Sequence, residues 1–166
     1  MPLSSLRIAI ADDDRSMREV LQVLLGNLGH EVVVVAENGR SLIERCSIVQ
    51  PDVIITDNSM PELSGAEAAA IIYSQRPLPI ILLSAFCDRE LVVDAEQKHV
   101  FMYLVKPASE AHLQVALNRC QELRNAQECD GAEAELGFKN PNCGSSGSSL
   151  NYRRATSPYR QMPHLH

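Results

Sequence analysis

The sequence predicts an α/β domain built as a doubly wound, five-stranded parallel sheet with five helices. Two features of residues 1–125 carry this. Short apolar runs recur five times with helix-compatible stretches between them, and the prolines at 51, 61, 77, 79 and 107 all fall at the joins, where a missing N–H does least harm. The runs are mostly continuous rather than alternating, as in strands covered on both faces. Regular strand–helix alternation gives a parallel sheet, since successive strands can run the same way only if a crossover joins them.

The elements follow in order. The first strand is Leu6 to Ala11. In the helix after it, Val20, Leu21, Leu24, Leu25 and Leu28 repeat at helical spacing and Gly29 is a natural stop. Val32 to Ala36 is the second strand, followed by a weaker helix near Gly39–Val49. Val53 to Thr56 is the third, followed by a helix near Gly65–Gln75. Ile80 to Leu83 is the fourth, and the stretch Asp88–Glu96 after it has the poorest apolar period of the five expected helices. Phe101 to Val105 is the fifth. The last helix aligns Leu113, Ala116, Leu117, Cys120 and Leu123, with Ser109 placed as its N-cap.

Composition narrows the function. The chain of 166 residues carries 21 acids against 15 bases, and aromatic residues are only 4%. A net charge of -6 does not attract nucleic acid, and so few aromatics do not make a base-stacking platform. The apolar runs are too short to cross a bilayer. Leu6 to Ala11 is short, contains Arg7 and runs straight into three aspartates, unlike a signal peptide, so the chain reads as cytoplasmic. Its five scattered cysteines form no CxxC pair, which supports neither a zinc ribbon nor a disulfide framework. Cys46 and Cys120 fall on apolar helix faces, where free Cys acts as a small hydrophobe. From residue 126 the composition turns to Gly, Ser and Pro, including Gly144-Ser145-Ser146-Gly147-Ser148-Ser149. We therefore expect a domain over 1–125 and a flexible low-complexity tail over 126–166, with room for a continuing helical turn at its start.

In an open parallel sheet, ligands collect beyond the carboxyl ends of the strands. There the first strand delivers Asp12-Asp13-Asp14, the third Asp57, the fourth Ser84 and the fifth Lys106. Carboxylates brought together repel and raise one another's pKa, and a divalent cation relieves this. Oxygen-only ligands with few carboxylates suit Mg²⁺, which welcomes a phosphate oxygen. A lysine supplies a compact positive charge to the same phosphate, and a strand-end carboxylate can attack phosphorus to form an acyl phosphate. Such a transfer needs positioning and charge neutralisation more than acid–base chemistry.

The segments IAIADDD, DNSMPELSG at 57–65, LLSA at 82–85 and YLVKP at 103–107 resemble the receiver domain of two-component response regulators, of the single-domain chemotaxis-regulator kind, over residues 6 to about 124. The resemblance implies a flavodoxin-like sheet of order 2-1-3-4-5. It implies that Asp57 is the phosphoacceptor and that Asp12 and Asp13 hold Mg²⁺, Asp13 more directly and Asp12 partly through water. By the same resemblance, the Ser59 backbone carbonyl would complete the metal site. It further implies that Ser84 turns toward the phosphoryl group, that Lys106 pairs with it, that the Lys106-Pro107 bond is cis, and that Tyr103 is the aromatic switch. Asp14 is read as a helix cap. A histidine kinase or histidine phosphotransfer protein would be the donor and an unidentified protein the downstream target. The protein would be a switch, catalysing only its own phosphorylation and dephosphorylation.

The chain departs from the family pattern at His99-Val100 before the fifth strand, at Ala108 after Lys106-Pro107, and at Asn58. None of these removes a chemical group from the pocket. Ser59 and Phe86 occupy positions that in the family tune phosphoryl loss. Two other readings compete. A pseudo-receiver would bind partners without phosphate. A haloacid-dehalogenase-type phosphatase would use Asp12 and Asp14 as its DxD pair.

Overall fold

The computed structural model describes residues 5–85 and 99–136, with side chains as far as 126. The chain divides into two compact units, Met1–Gln121 and Glu122–His166. In the first, strands β1 (Arg7–Ala11), β2 (Glu31–Ala36), β3 (Val53–Asp57), β4 (Ile80–Ser84) and β5 (Met102–Val105) form one sheet, with helices α1 (Arg15–Asn27), α2 (Gly39–Val49), α3 (Gly65–Gln75) and the first part, up to Gln121, of α4 (Glu110–Leu136). All pairings are parallel and the order is β2-β1-β3-β4-β5, as expected. The helix expected near Asp88–Glu96 and Phe86 lie outside the described residues, as does the expected tail beyond 136. The composition boundary at 125 falls inside α4.

The side-chain period of two sorts each inner strand between two cores. Ile8 and Ile10 of β1, with Val53 and Ile55 of β3 and Ile81 and Leu83 of β4, pack with Leu21 and Leu25 of α1 and Leu113, Ala116 and Leu117 of α4. Ala9, Ala11, Ile54, Ile80 and Leu82 pack on the other face with Leu42 of α2 and Ala66, Ala68, Ala69 and Ile72 of α3. Every residue of β3 and β4 is buried, which explains the continuous apolar runs Val53–Ile55 and Ile80–Leu83. Cys46 and Cys120 are buried free thiols. Desolvation pushes both up to about 12, so each acts as a core apolar group rather than a nucleophile. Among the described residues, no helix is long and apolar enough to cross a membrane.

Caps set where the helices start and stop. Asp14 Oδ1 accepts from the Ser16 amide at 2.8 Å and starts α1. Gly29, at φ 81°, ends it, with the His30 amide bonded to the Leu25 carbonyl and the Gly29 amide to the Gly26 carbonyl, a Schellman motif. Ser109 Oγ accepts from the His112 amide at 3.3 Å, as its N-cap position predicts. Ser64 opens α3 with a capping box: its Oγ accepts from the Glu67 amide, and Glu67 Oε2 accepts from the Ser64 amide at 2.9 Å. Ser64→Ala is expected to cost about 1 kcal/mol, read as a lower urea midpoint at unchanged slope.

Candidate functional site: an acidic pocket at the carboxyl edge

Register brings the strand ends together. Ala11 pairs with Thr56, Asp57 with Leu83 and Ser84 with Val105. The ladder continues one residue beyond the strands, with the Asp12 amide on the Ala36 carbonyl, the Asn58 amide on Leu83 and the Lys106 amide on Ser84. Asp12, Asp57, Ser84 and Lys106 therefore start from adjacent backbone positions on one edge. Asp12 is 0% exposed, Asp57 4% and Ser84 2%, whereas Asp13 is exposed.

The side chains converge. Carboxylate oxygens of Asp12, Asp13 and Asp57 all lie within 4.8 Å of one another. Lys106 Nζ reaches across the pocket to Asp12 Oδ2 at 2.7 Å and Asp57 Oδ1 at 2.9 Å. Burial raises the Asp12 carboxyl above its ordinary value, and the hydrogen bonds from Lys106 and the Asp14 amide offset only part of this. Burial alone would lower Lys106, but its hydrogen bonds to Asp12 and Asp57 outweigh that and hold it above the ordinary lysine range. The trio thus carries more negative charge than one ammonium neutralises. Like charges about 4 Å apart interact by roughly 4 kcal/mol at an effective dielectric near 20. An all-oxygen donor set with surplus negative charge fits a hard divalent cation such as Mg²⁺.

Asp14 stands apart. It is absent from the acidic trio, and its carboxylate is used as the α1 cap. The DxD arrangement of the phosphatase reading is therefore not assembled. The Lys106-Pro107 bond is cis, as the resemblance implied. Tyr103 sits on β5 opposite Leu82, half-buried against the α2–α3 core.

The comparisons with known proteins agree with this geometry. The family profile described as "Response regulator receiver domain" matches residues 8–118. This chain belongs to the receiver family. Its receiver is 36% identical over 121 residues to "Transcriptional regulatory protein PdtaR" of Mycobacterium tuberculosis, covering 70% of this chain and 59% of that protein. It is 36% identical over 103 residues to "Chemotaxis protein CheY" of Listeria monocytogenes, covering 61% of this chain and 87% of that one. Among solved structures, the receiver resembles the signal receiver domain of the putative response regulator NarL from Mycobacterium tuberculosis, with a TM-score of 0.68 and 28% identity over 72% of this chain and 98% of that one. The chain thus spans about three fifths of the length of the first of these relatives. Receivers are signalling domains rather than metabolic enzymes, and phosphorylation-dependent switching is the function of the family.

Two site features of this receiver were not legible as such. The sequence marks Gly65 only as a turn or helix start. In the structure a Cβ there would fall inside the Asp57 carbonyl oxygen, 2.9 Å from its carbon and 3.0 Å from Thr56 Oγ1. Gly65 therefore lets α3 begin directly against the strand end that carries Asp57. Asn58, where receivers usually place an apolar residue, has a buried side-chain oxygen that accepts no hydrogen bond among the described residues.

Proposed function

We propose that Asp57 accepts a phosphoryl group from a histidine kinase or a histidine phosphotransfer protein, and that the aspartyl phosphate biases the receiver toward a partner-binding state. The observation that carries this reading is the pairing of Asp57 Oδ1 with Lys106 Nζ at 2.9 Å inside the acidic trio. An Asp57 carboxylate oxygen attacks phosphorus, a mixed anhydride forms, and the bond from phosphorus to the donor nitrogen or oxygen breaks. The departing group keeps that electron pair. Lys106 stands ready to follow the negative charge that develops on the phosphoryl oxygens, exchanging its contact with Asp57 for one with phosphate.

Asp13 and Asp57 would hold Mg²⁺, with the Ser59 carbonyl completing the site and Asp12 contributing partly through water. Bound Mg²⁺ supplies neutralisation of phosphoryl charge. Ser84, on the strand next to Asp57, turns toward the phosphoryl group, and Tyr103 on the adjoining strand changes rotamer with it. The output is contact with a downstream protein. This reading places the chain in the cytoplasm, with residues 1–125 as the switch and 126–166 as an appended tail.

The test is incubation with Mg²⁺ and a small acyl phosphate, read by intact mass. Wild type is expected to gain one phosphoryl group, and Asp57→Asn or chelated samples to gain none. No adduct on wild type, or an undiminished one on Asp57→Asn, would remove the proposal. Mg²⁺ binding without any adduct would instead favour the pseudo-receiver.

A further inference from the structure

Among the described residues, nothing donates to the Asp13 carboxylate, although it belongs to the acidic trio. Asp12 is anchored through its side chain by Lys106 and by the Asp14 amide. Asp13 is exposed, so its aim depends on how its peptide is held. Arg18, from the start of α1, supplies that hold. Its Nη1 donates to the Asp12 carbonyl at 2.7 Å and to the Asp13 carbonyl at 3.1 Å. The Arg18 amide, in the first turn of α1, bonds to the Asp14 carbonyl at 3.1 Å. One residue therefore ties the three consecutive carbonyls of the acidic segment to the helix that follows.

We infer that Arg18 is a positioning residue of the cation site, fixing the Asp12 and Asp13 peptides so that the Asp13 carboxylate faces Asp12 and Asp57. The inference rests on the proposed Mg²⁺ site. It has a sign that charge alone does not have. A guanidinium beside three carboxylates opposes cation binding, so removing it should tighten Mg²⁺ if Arg18 acted only as a charge. Removing a group that orients a ligand weakens the metal instead, commonly by 10- to 100-fold, in rough terms. The two effects point in opposite directions, and geometry is expected to win. The fork of donors on a guanidinium is matched only in part by an ammonium.

The experiment is Mg²⁺ titration by calorimetry on the full chain, comparing wild type, Arg18→Met and Arg18→Lys, with thermal midpoints in chelator recorded for each. Arg18→Met keeps the aliphatic stem and loses the donors. Its Mg²⁺ dissociation constant is expected to rise about 10-fold, and that of Arg18→Lys to lie between it and wild type. An equal or tighter constant for Arg18→Met overturns the inference. If Arg18→Met does not fold, Arg18→Lys decides: weaker binding at retained charge supports positioning, and wild-type binding overturns it. A wild-type chain with no Mg²⁺ affinity overturns the cation reading of the site as well, whereas wild-type binding with unaffected variants overturns this inference alone.

Discussion

Gly65→Ala is expected to destabilise the receiver by about 3 kcal/mol, measured by equilibrium urea unfolding. The methyl group would meet backbone rather than a movable side chain: the Asp57 carbonyl oxygen and carbon, then Thr56 Oγ1. The same carbonyl accepts from Thr56 Oγ1 at 3.1 Å, and the Gly65 amide bonds to the Asn58 carbonyl at 3.1 Å. Relief requires the start of α3 to lift away from the end of β3, carrying the Ser64 capping box and the 58–64 loop with it. That loop includes Ser59, so phosphoryl uptake should fall along with stability. Gly26→Ala is the control. A Cβ at Gly26 meets nothing within 4 Å, and this helical position should gain about 0.5 kcal/mol. Equal effects at the two glycines would mean that close packing at Asp57 is not what Gly65 provides.

The contrast between these glycines shows where sequence reading succeeds and where it stops. Gly29 was legible as a helix stop because its role is local: it takes the left-handed conformation that ends α1 itself, at φ 81°. The apolar runs of β3 and β4 were legible because burial on both faces keeps Val53–Ile55 and Ile80–Leu83 continuously apolar, with polar residues entering only at the carboxyl ends, at Thr56, Asp57 and Ser84. The expected bounds Gly39–Val49 and Gly65–Gln75 coincide with α2 and α3. The acidic pocket was legible because strand ends in a parallel sheet share an edge, so four residues far apart in the chain could be placed together. Gly65 and Arg18 were not legible because each acts on backbone carbonyls, which leave no mark in a sequence. Arg18 looks like an ordinary helix charge until its Nη1 is seen on Asp12 and Asp13. The raised carboxyl of Asp12 was likewise out of reach in its details, since it depends on how completely burial outweighs the lysine that faces it.

Lys106→Met should produce the largest purely electrostatic loss. In the wild type one ammonium serves Asp12, which is fully buried, and Asp57, which is nearly so. Replacing it with an apolar chain of similar length preserves packing and leaves both carboxylates without a cation. Removing one partner of a buried ion pair costs about 3 kcal/mol at neutral pH, and the Lys106 side chain, 20% exposed, places the expected loss at the lower end of such effects. The pH dependence has a definite sign. The Lys106 value is raised in the folded state, so its contribution is present at neutral pH and is lost only as pH climbs through that raised value. The Asp12 value is also raised, and without Lys106 the hydrogen bond that opposes burial is gone, so it rises further. The folded variant then takes up a proton more readily than the unfolded chain. Its deficit against wild type should shrink as pH falls from 7 toward 5. Asp12→Asn in the Lys106→Met background removes the buried charge directly. The double variant should be more stable at pH 7 than the sum of the single losses predicts, the coupling expected of groups in contact. The measurement is a double-mutant cycle of urea midpoints at both pH values in chelator. A Lys106→Met midpoint equal to wild type at pH 7 would mean that water, rather than the lysine, satisfies the two carboxylates in solution.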